Sequence, residues 1–452
     1  MLYEEFSYIN PIDIANCFKE NSACLLGDGF YSKSEINRYS FIGVDPWSKI
    51  ISKKDKVWVD GVLHSQKAHD LLLELNSIYK QKKIDNLPPF QGGIIGVWYY
   101  DFASALHGFP IKDDLDCTNG FWYLFDLVVA YDHYEKKCWL ISTGNPLSGD
   151  KKVNRAKQRL SWLQSKLSDV EPVKISNSLN WRMRSFISKR EYIDKVNLIK
   201  ESIRKGDLFE VNYTQRFEGK LDFDSGWSLF VELYKTNPAP FSAYLSFGSE
   251  EIVSCSPERM LQVAGKVAST WPIKGTVALG DNEAQILQNQ KQLRFSEKQI
   301  AENTMIVDLV RNDLSKICKP GTVHVKEFCK LMRFSNVQHL VSVVQGDIAS
   351  CYNALDAFSA LFPAGSITGA PKLQAMKCIV ETEALNRGAY CGSVGYWSFN
   401  GDFDSSVLIR TIIKNNSSIV TNAGGAVLLD SCADEEYNES ILKAKKLIGE
   451  LF

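Results

Sequence analysis

Trp271-Pro272-Ile273-Lys274-Gly275-Thr276 is the stretch from which the rest of this chain is best read. Pro272 cannot donate a ladder hydrogen bond and Gly275 has no side chain, so the segment is expected at a sheet edge or a tight bend, where a ligand can approach the backbone. Lys274 then points into a pocket. Trp, Ile and Gly surround it and no acid stands within several residues, so the sequence offers it no local ion-pair partner. Partial desolvation would lower its pKa from the free value of about 10.4 and expose a neutral amine, a nucleophile. Read alone, the hexapeptide is also, and more commonly, a surface lysine beside a β-turn.

Upstream, the apolar run Ile252 to Cys255 leads into Ser256-Pro257-Glu258-Arg259. A glutamate at a strand end, beside a proline that blocks ladder pairing, is placed to face a cleft as a general acid or base; the alternative is a surface pair with Arg259. Before that, Ser188 to Glu191 is a capping box, followed by Tyr192, Val196, Ile199 and Ile203 at helical spacing until Gly206-Asp207. Strand-like runs follow at 209–217 and 241–247.

Downstream, 297–314 reads as a helix with Glu302, Ile306, Leu309 and Asp313 on one face. A last helix begins at Asp434 and sets Glu436, Glu439 and Lys443 at i, i+3 and i+7. Carboxylates gathered from two helices suit an oxygen-seeking cation, whereas an ordinary solvated face is the plainer alternative. Gly365-Ser366-Ile367-Thr368-Gly369-Ala370-Pro371-Lys372 lacks the Gly-Lys-Ser/Thr of a nucleotide loop, yet a glycine-rich turn into a helix can present backbone N–H groups to an anion. Ala423-Gly424-Gly425-Ala426 is a second candidate cradle, or else a bulge or strand crossing.

In the first half, short strands are expected at 22–26, 39–43, 48–52 and 56–59, with a hairpin through Asp60-Gly61. A helix is expected over 71–79, strands over 120–131 and 137–142, and a basic amphipathic helix over 151–167. Residues 168–180 read as a linker. Segments 1–170 and 185–450 are thus two halves, expected to pack as one globule. Strands and helices alternate without a βαβ repeat, which argues against a doubly wound sheet. The expected class is α+β, with antiparallel sheets.

The 452 residues are 45% apolar and 23% charged, with a net charge of −1, which gives no electrostatic case for nucleic acid or an anionic membrane. No run of about 18 apolar residues occurs, and the N-terminus lacks a basic or apolar leader, so a cytoplasmic location is expected. The 11 cysteines form no Cys-x-x-Cys pair or Cys/His cluster and read as small buried residues of a reduced compartment.

Together these motifs resemble the chorismate-utilising enzymes, the anthranilate synthase component I family, over nearly the whole chain. Pro272 to Thr276 is similar to the signature of the aminodeoxychorismate synthase component I branch; the anthranilate, isochorismate and salicylate branches carry alanine at the lysine position. The resemblance implies two antiparallel sheets in a sandwich with helices outside. It implies amination of chorismate at C4, with Lys274 as nucleophile at C2, Glu258 as proton donor to the departing hydroxyl, and His339 near that hydroxyl. It further implies Mg²⁺ on Glu302 and Glu439, aided by Glu436. Substrate contacts would come from Gly275, Thr276, Ser366, Thr368, Tyr390, Arg410, Gly424, Gly425, Ala426 and Lys443, with Arg410 and Tyr390 on the enolpyruvyl carboxylate. Ammonia would come from a separate glutamine amidotransferase subunit. Asn37, Arg38, Tyr39 and Ser40 with Pro240, Phe241 and Ser242 resemble two walls of a tryptophan pocket; Asp28, in Leu25-Leu26-Gly27-Asp28, replaces part of the wall used for feedback inhibition. A non-catalytic scaffold for the amidotransferase is the alternative from another class.

Overall fold

A computed structural model describes residues 1–19, 22–27, 38–54, 56–108, 112, 118–173, 181–221, 226–280, 282–334 and 337–451. Two large sheets, of 13 and 12 strands, carry the fold, and nearly every pairing is antiparallel. Both run through the two halves of the chain. In the first sheet Ser22–Leu26 pairs with Phe241–Phe247, and in the second Gly93–Trp98 pairs with Ser393–Ser398.

Side-chain alternation explains why the sheets stack. On adjoining strands Phe41, Val128, Ala130, Trp139 and Ile141 face the second sheet, meeting Ile95, Val97, Phe121, Tyr123 and Tyr396. Their sequence neighbours Ile42, Val129, Tyr131 and Leu140 face the other way, under the helices Pro11–Asn16, Gly149–Lys166 and Gly226–Thr236. On the outer face of the second sheet, Ile94, Trp98, Trp122 and Leu124 pack with helices that include Ala68–Ile78, Glu297–Ser315 and Ala354–Leu361. A strand buried on both faces reads as a continuous apolar run, as Leu127–Asp132 does. The α+β class and the antiparallel sandwich expected above are therefore present.

One expected strand is two. The run 120–131 divides at Asp126 into Thr118–Phe125 of the second sheet and Leu127–Asp132 of the first. Asp126 is fully buried and pairs with Arg159 at 3.0 Å and Arg155 at 3.4 Å, both from Gly149–Lys166. A buried carboxylate needs such partners, and meeting them turns the chain from one sheet to the other. The capping box at Ser188 and Glu191 forms as expected, opening the helix Lys189–Arg204. The cysteine expectation needs correction: Cys17, Cys351 and Cys432 are exposed, since small thiols are tolerated at element ends as well as in cores. Among the described residues no helix is long and apolar enough to cross a membrane.

Candidate active site

The chemistry-bearing side chains collect where the chain changes sheets. Glu250–Ser256 belongs to the first sheet and Arg259–Ala264 to the second, so Pro257 and Glu258 are the crossing. Phe403–Val407 and Thr411–Asn415 make a second crossing, and Arg410 lies in it with φ 53°. Crossings interrupt the ladder, which frees side chains to converge between the layers.

Ile273–Ala278 is an edge strand of the second sheet, as Pro272 and Gly275 led one to expect. Its pairing with Val337–Asp347 breaks register between Ile273 and Thr276, and Gly275 at φ 92° supplies the irregularity. Lys274 is thereby turned inward and is 9% exposed. Its surroundings correct the sequence expectation. Lys274 Nζ donates to Glu210 Oε1 at 2.6 Å, and Glu210 is 0% exposed. Burial alone would lower the lysine pKa, but Glu210, with Glu302 and Glu258 adding, overrides it and raises the value. The resting side chain is an ammonium. The partner stands 64 residues upstream, so no local pattern could reveal it.

Glu258 is buried, and its neighbour Arg259 pairs with Asp404 at 3.0 Å. Ser366 Oγ donates to Glu258 Oε1 at 2.6 Å, and the Ile273 N–H adds a longer bond at 3.4 Å. Burial pushes the carboxyl up to about 7 against the lowering influence of those bonds and of Lys274. An acid titrating there can deliver a proton at neutral pH. Thr276 and His339 are cross-strand neighbours and share a 2.8 Å hydrogen bond through Nδ1. Burial, helped by the charge of Arg410, lowers His339 to about 4, so its ring is neutral at physiological pH.

Arg410 is partly buried beside Tyr390, and its guanidinium makes no ion pair with a described residue. Burial lowers its pKa. A desolvated, unpaired guanidinium is a strong receptor for a carboxylate. Across the site, Glu302 from Glu297–Ser315 feels the charge of Glu439 from Ala433–Ala444. Burial raises Glu302, Lys274 opposes, and the charges of Glu210 and Glu439 add to the rise. Glu436 is buried; Ser431 donates to its Oε1 at 2.7 Å, while Oε2 has no hydrogen-bond partner among the described residues. A Cβ on Gly425 would stand 2.8 Å from that oxygen, so glycine leaves the carboxylate its room. Glu439 pairs with Lys443 at 2.6 Å, and Lys443 also donates to the Gly424 carbonyl at 3.1 Å. Among the described residues no three donors are preassembled around one metal position. The all-carboxylate donor set and the orphaned Glu436 oxygen nonetheless suit a hard dication.

The two glycine-rich motifs act differently from simple cradles. Gly424 to Ala426 lies in a regular ladder opposite Asn212 to Thr214, where a Cβ on Gly424 would reach 1.9 Å from the Tyr213 carbonyl. Among the described residues the pairing with Thr411–Asn415 ends at Thr421, so it does not cover that edge of Gly424 to Ala426. Gly369 and Ala370 pair with Val211 and Glu210, and the Thr368 hydroxyl donates to the Ala364 carbonyl. Lys372 is tied to Asp313 at 2.6 Å. The loop thus serves as scaffold, fixing Ser366 against Glu258 and Glu210 against Lys274.

A buried arginine missed in the sequence braces this scaffold. Arg387 donates to the Glu383 carboxylate at 2.6 Å, to the Ile367 carbonyl at 3.0 Å and to the Asn212 carbonyl, with the Tyr100 ring 4.7 Å away. Removing the cation leaves Glu383 buried and uncompensated. Arg387→Met is expected to cost about 3–5 kcal/mol, read as a lower urea midpoint.

Arg38, Tyr39, Pro240, Phe241 and Ser242 line one cavity between the sheets together with Arg259. Ser40 lies behind it, accepting from the Gly27 N–H at 3.0 Å and bonding His133 at 2.6 Å. Asp28 and Asn37 fall outside the described residues.

Residues 27–449 match the family described as chorismate binding enzyme. Anthranilate synthase component 1 of Acetivibrio thermocellus is 33% identical over 97% of this chain and 92% of its own. Aminodeoxychorismate synthase component 1 of Bacillus subtilis is 34% identical over 90% of this chain and 88% of its own. The crystal structure of anthranilate synthase component I from Streptococcus pneumoniae superposes with a TM-score of 0.81 at 28% identity, covering 92% of this chain and 93% of that one.

Proposed function

The chain belongs to the chorismate binding enzymes, and we propose that within this family it aminates chorismate at C4, giving 4-amino-4-deoxychorismate for 4-aminobenzoate and folate synthesis. Relatives of similar identity carry both the aminodeoxychorismate and the anthranilate names. The observation that carries the choice is Lys274: it is buried inside the site, with Glu258 close enough to act on its charge. A nucleophile and a proton donor of that kind permit two displacements, which an alanine at position 274 would not.

In this account Arg410 and Tyr390 hold the enolpyruvyl carboxylate, while Lys443 and the edge of Gly424 to Ala426 face the ring carboxylate. Lys274 bonds to C2, the two ring double bonds shift, and the C4–O bond breaks as Glu258 protonates the leaving hydroxyl. Neutral His339, held by Thr276, would lie near that hydroxyl. Ammonia then bonds to C4, the double bonds return and Lys274 departs. Mg²⁺ is part of the proposal: Glu302, Glu436 and Glu439 would hold it, and its charge would neutralise the ring carboxylate. The "component 1" of the relatives' names supports a partner subunit. We take that partner to be a glutamine amidotransferase that supplies ammonia. The cavity at Arg38 and Phe241 is the proposed place for tryptophan, tested by denaturing purified protein and analysing released amino acids.

The test of the reaction type is a coupled assay. With chorismate, Mg²⁺ and ammonium ion, consumption of chorismate without pyruvate release supports amination at C4. Stoichiometric pyruvate would indicate anthranilate formation, and ammonium-independent consumption an isomerisation.

A further inference from the structure

Lys274 cannot attack carbon while it is an ammonium, so a proton must leave Nζ before the C–N bond forms. We propose that Glu210 is the group that takes this proton, and so is a catalytic residue alongside Lys274 and Glu258; this rests on the reaction proposed above. Lys274 is 9% exposed, which leaves little room for bulk water to serve. Three carboxylates act on its charge: Glu210, Glu302 and Glu258. Only Glu210 takes a hydrogen bond from it, at 2.6 Å. Glu258 is held by Ser366 and the Ile273 N–H, and it must be protonated to release the hydroxyl.

The second oxygen of Glu210, Oε2, is buried and has no hydrogen-bond partner among the described residues, so the carboxylate is aimed at Lys274 and at no other described donor. Its backbone is pinned opposite Ala370, four residues from Ser366, so one loop aligns the proton acceptor and the proton donor.

The protons balance. In the first displacement Nζ gives a proton to Glu210 and bonds to C2, C4–O breaks, and Glu258 gives its proton to the oxygen, which leaves as water. The site then holds a neutral Glu210, a charged secondary ammonium at Lys274 and a Glu258 carboxylate. After ammonia bonds to C4 and the lysine leaves as an amine, Glu210 returns its proton to Nζ, and Glu258 takes one from the new C4 ammonium.

The experiment compares the full-length wild type with Glu210→Gln, using chorismate, Mg²⁺ and ammonium ion from pH 6 to pH 9. Glutamine keeps the size and can bond the amine but cannot accept the proton. Lys274 must then lose its proton to solvent, so the variant-to-wild-type rate ratio should be lowest at pH 6 and rise about tenfold per pH unit until the amine is free. Taking the ratio cancels the titration of Glu258. A ratio near one throughout, or a loss independent of pH, overturns the proposal and leaves Glu210 a counter-ion or a packing residue. If Glu210→Gln does not fold, Glu210→Ala with added formate decides: restored turnover at pH 6 supports the role, and chorismate binding without restoration overturns it. A wild type that yields no aminated product overturns the reaction itself, and the proposal with it.

Discussion

Replacing Lys274 with alanine is expected to lower amination of chorismate by at least about 10³-fold, because in the proposed reaction Lys274 forms the first bond to carbon. The lysine is buried and, among the described residues, hydrogen-bonded only to Glu210, so the loss has two parts. One is chemical: without the amine at C2 there is no first displacement. The other is structural: Glu210 is left buried without its cation, at about 3–5 kcal/mol. The double variant Lys274→Ala with Glu210→Gln separates them. It should recover thermal stability, because a neutral amide replaces the stranded charge, yet stay as inactive as the single variant. Recovery of activity in the double variant would show that Lys274 serves only to balance Glu210.

Glu258→Gln is expected to lower turnover by about 10²–10⁴-fold, the range for loss of a general acid. The amide keeps the hydrogen bond from Ser366 but has no proton to give. Chorismate affinity, which the proposal assigns to Arg410 and the ring-carboxylate side, should change little. The sign of the pH dependence follows from the raised pKa. Burial holds Glu258 at about 7, and the acid form is the donor, so the wild-type rate should fall as pH rises through about 7. A wild-type rate still climbing there would assign the proton to another group.

Local pattern recovered the elements whose causes are local. The capping box at Ser188 and the edge placement of Ile273–Ala278 follow from neighbours a few residues apart. The sandwich followed from resemblance, and the apolar runs of its central strands explain it afterwards. What stayed hidden depends on distant pairing. The sheet change at Asp126 is set by Arg155 and Arg159, and the protonation of Lys274 by Glu210. Glu210 left one faint trace, an acid between Phe209 and Val211 at the start of a strand. Arg387 left none: an Arg-Gly pair after a helix looks like an ordinary C-terminal cap, and its burial under Tyr100 appears only in three dimensions.

The measurement that bears most directly on the central claim is the mass and chromatographic identity of the product formed from chorismate, Mg²⁺ and ¹⁵N-labelled ammonium ion. The account predicts 4-amino-4-deoxychorismate, with one labelled nitrogen at C4 and the enolpyruvyl group retained. Labelled anthranilate, or isochorismate without label, would contradict it.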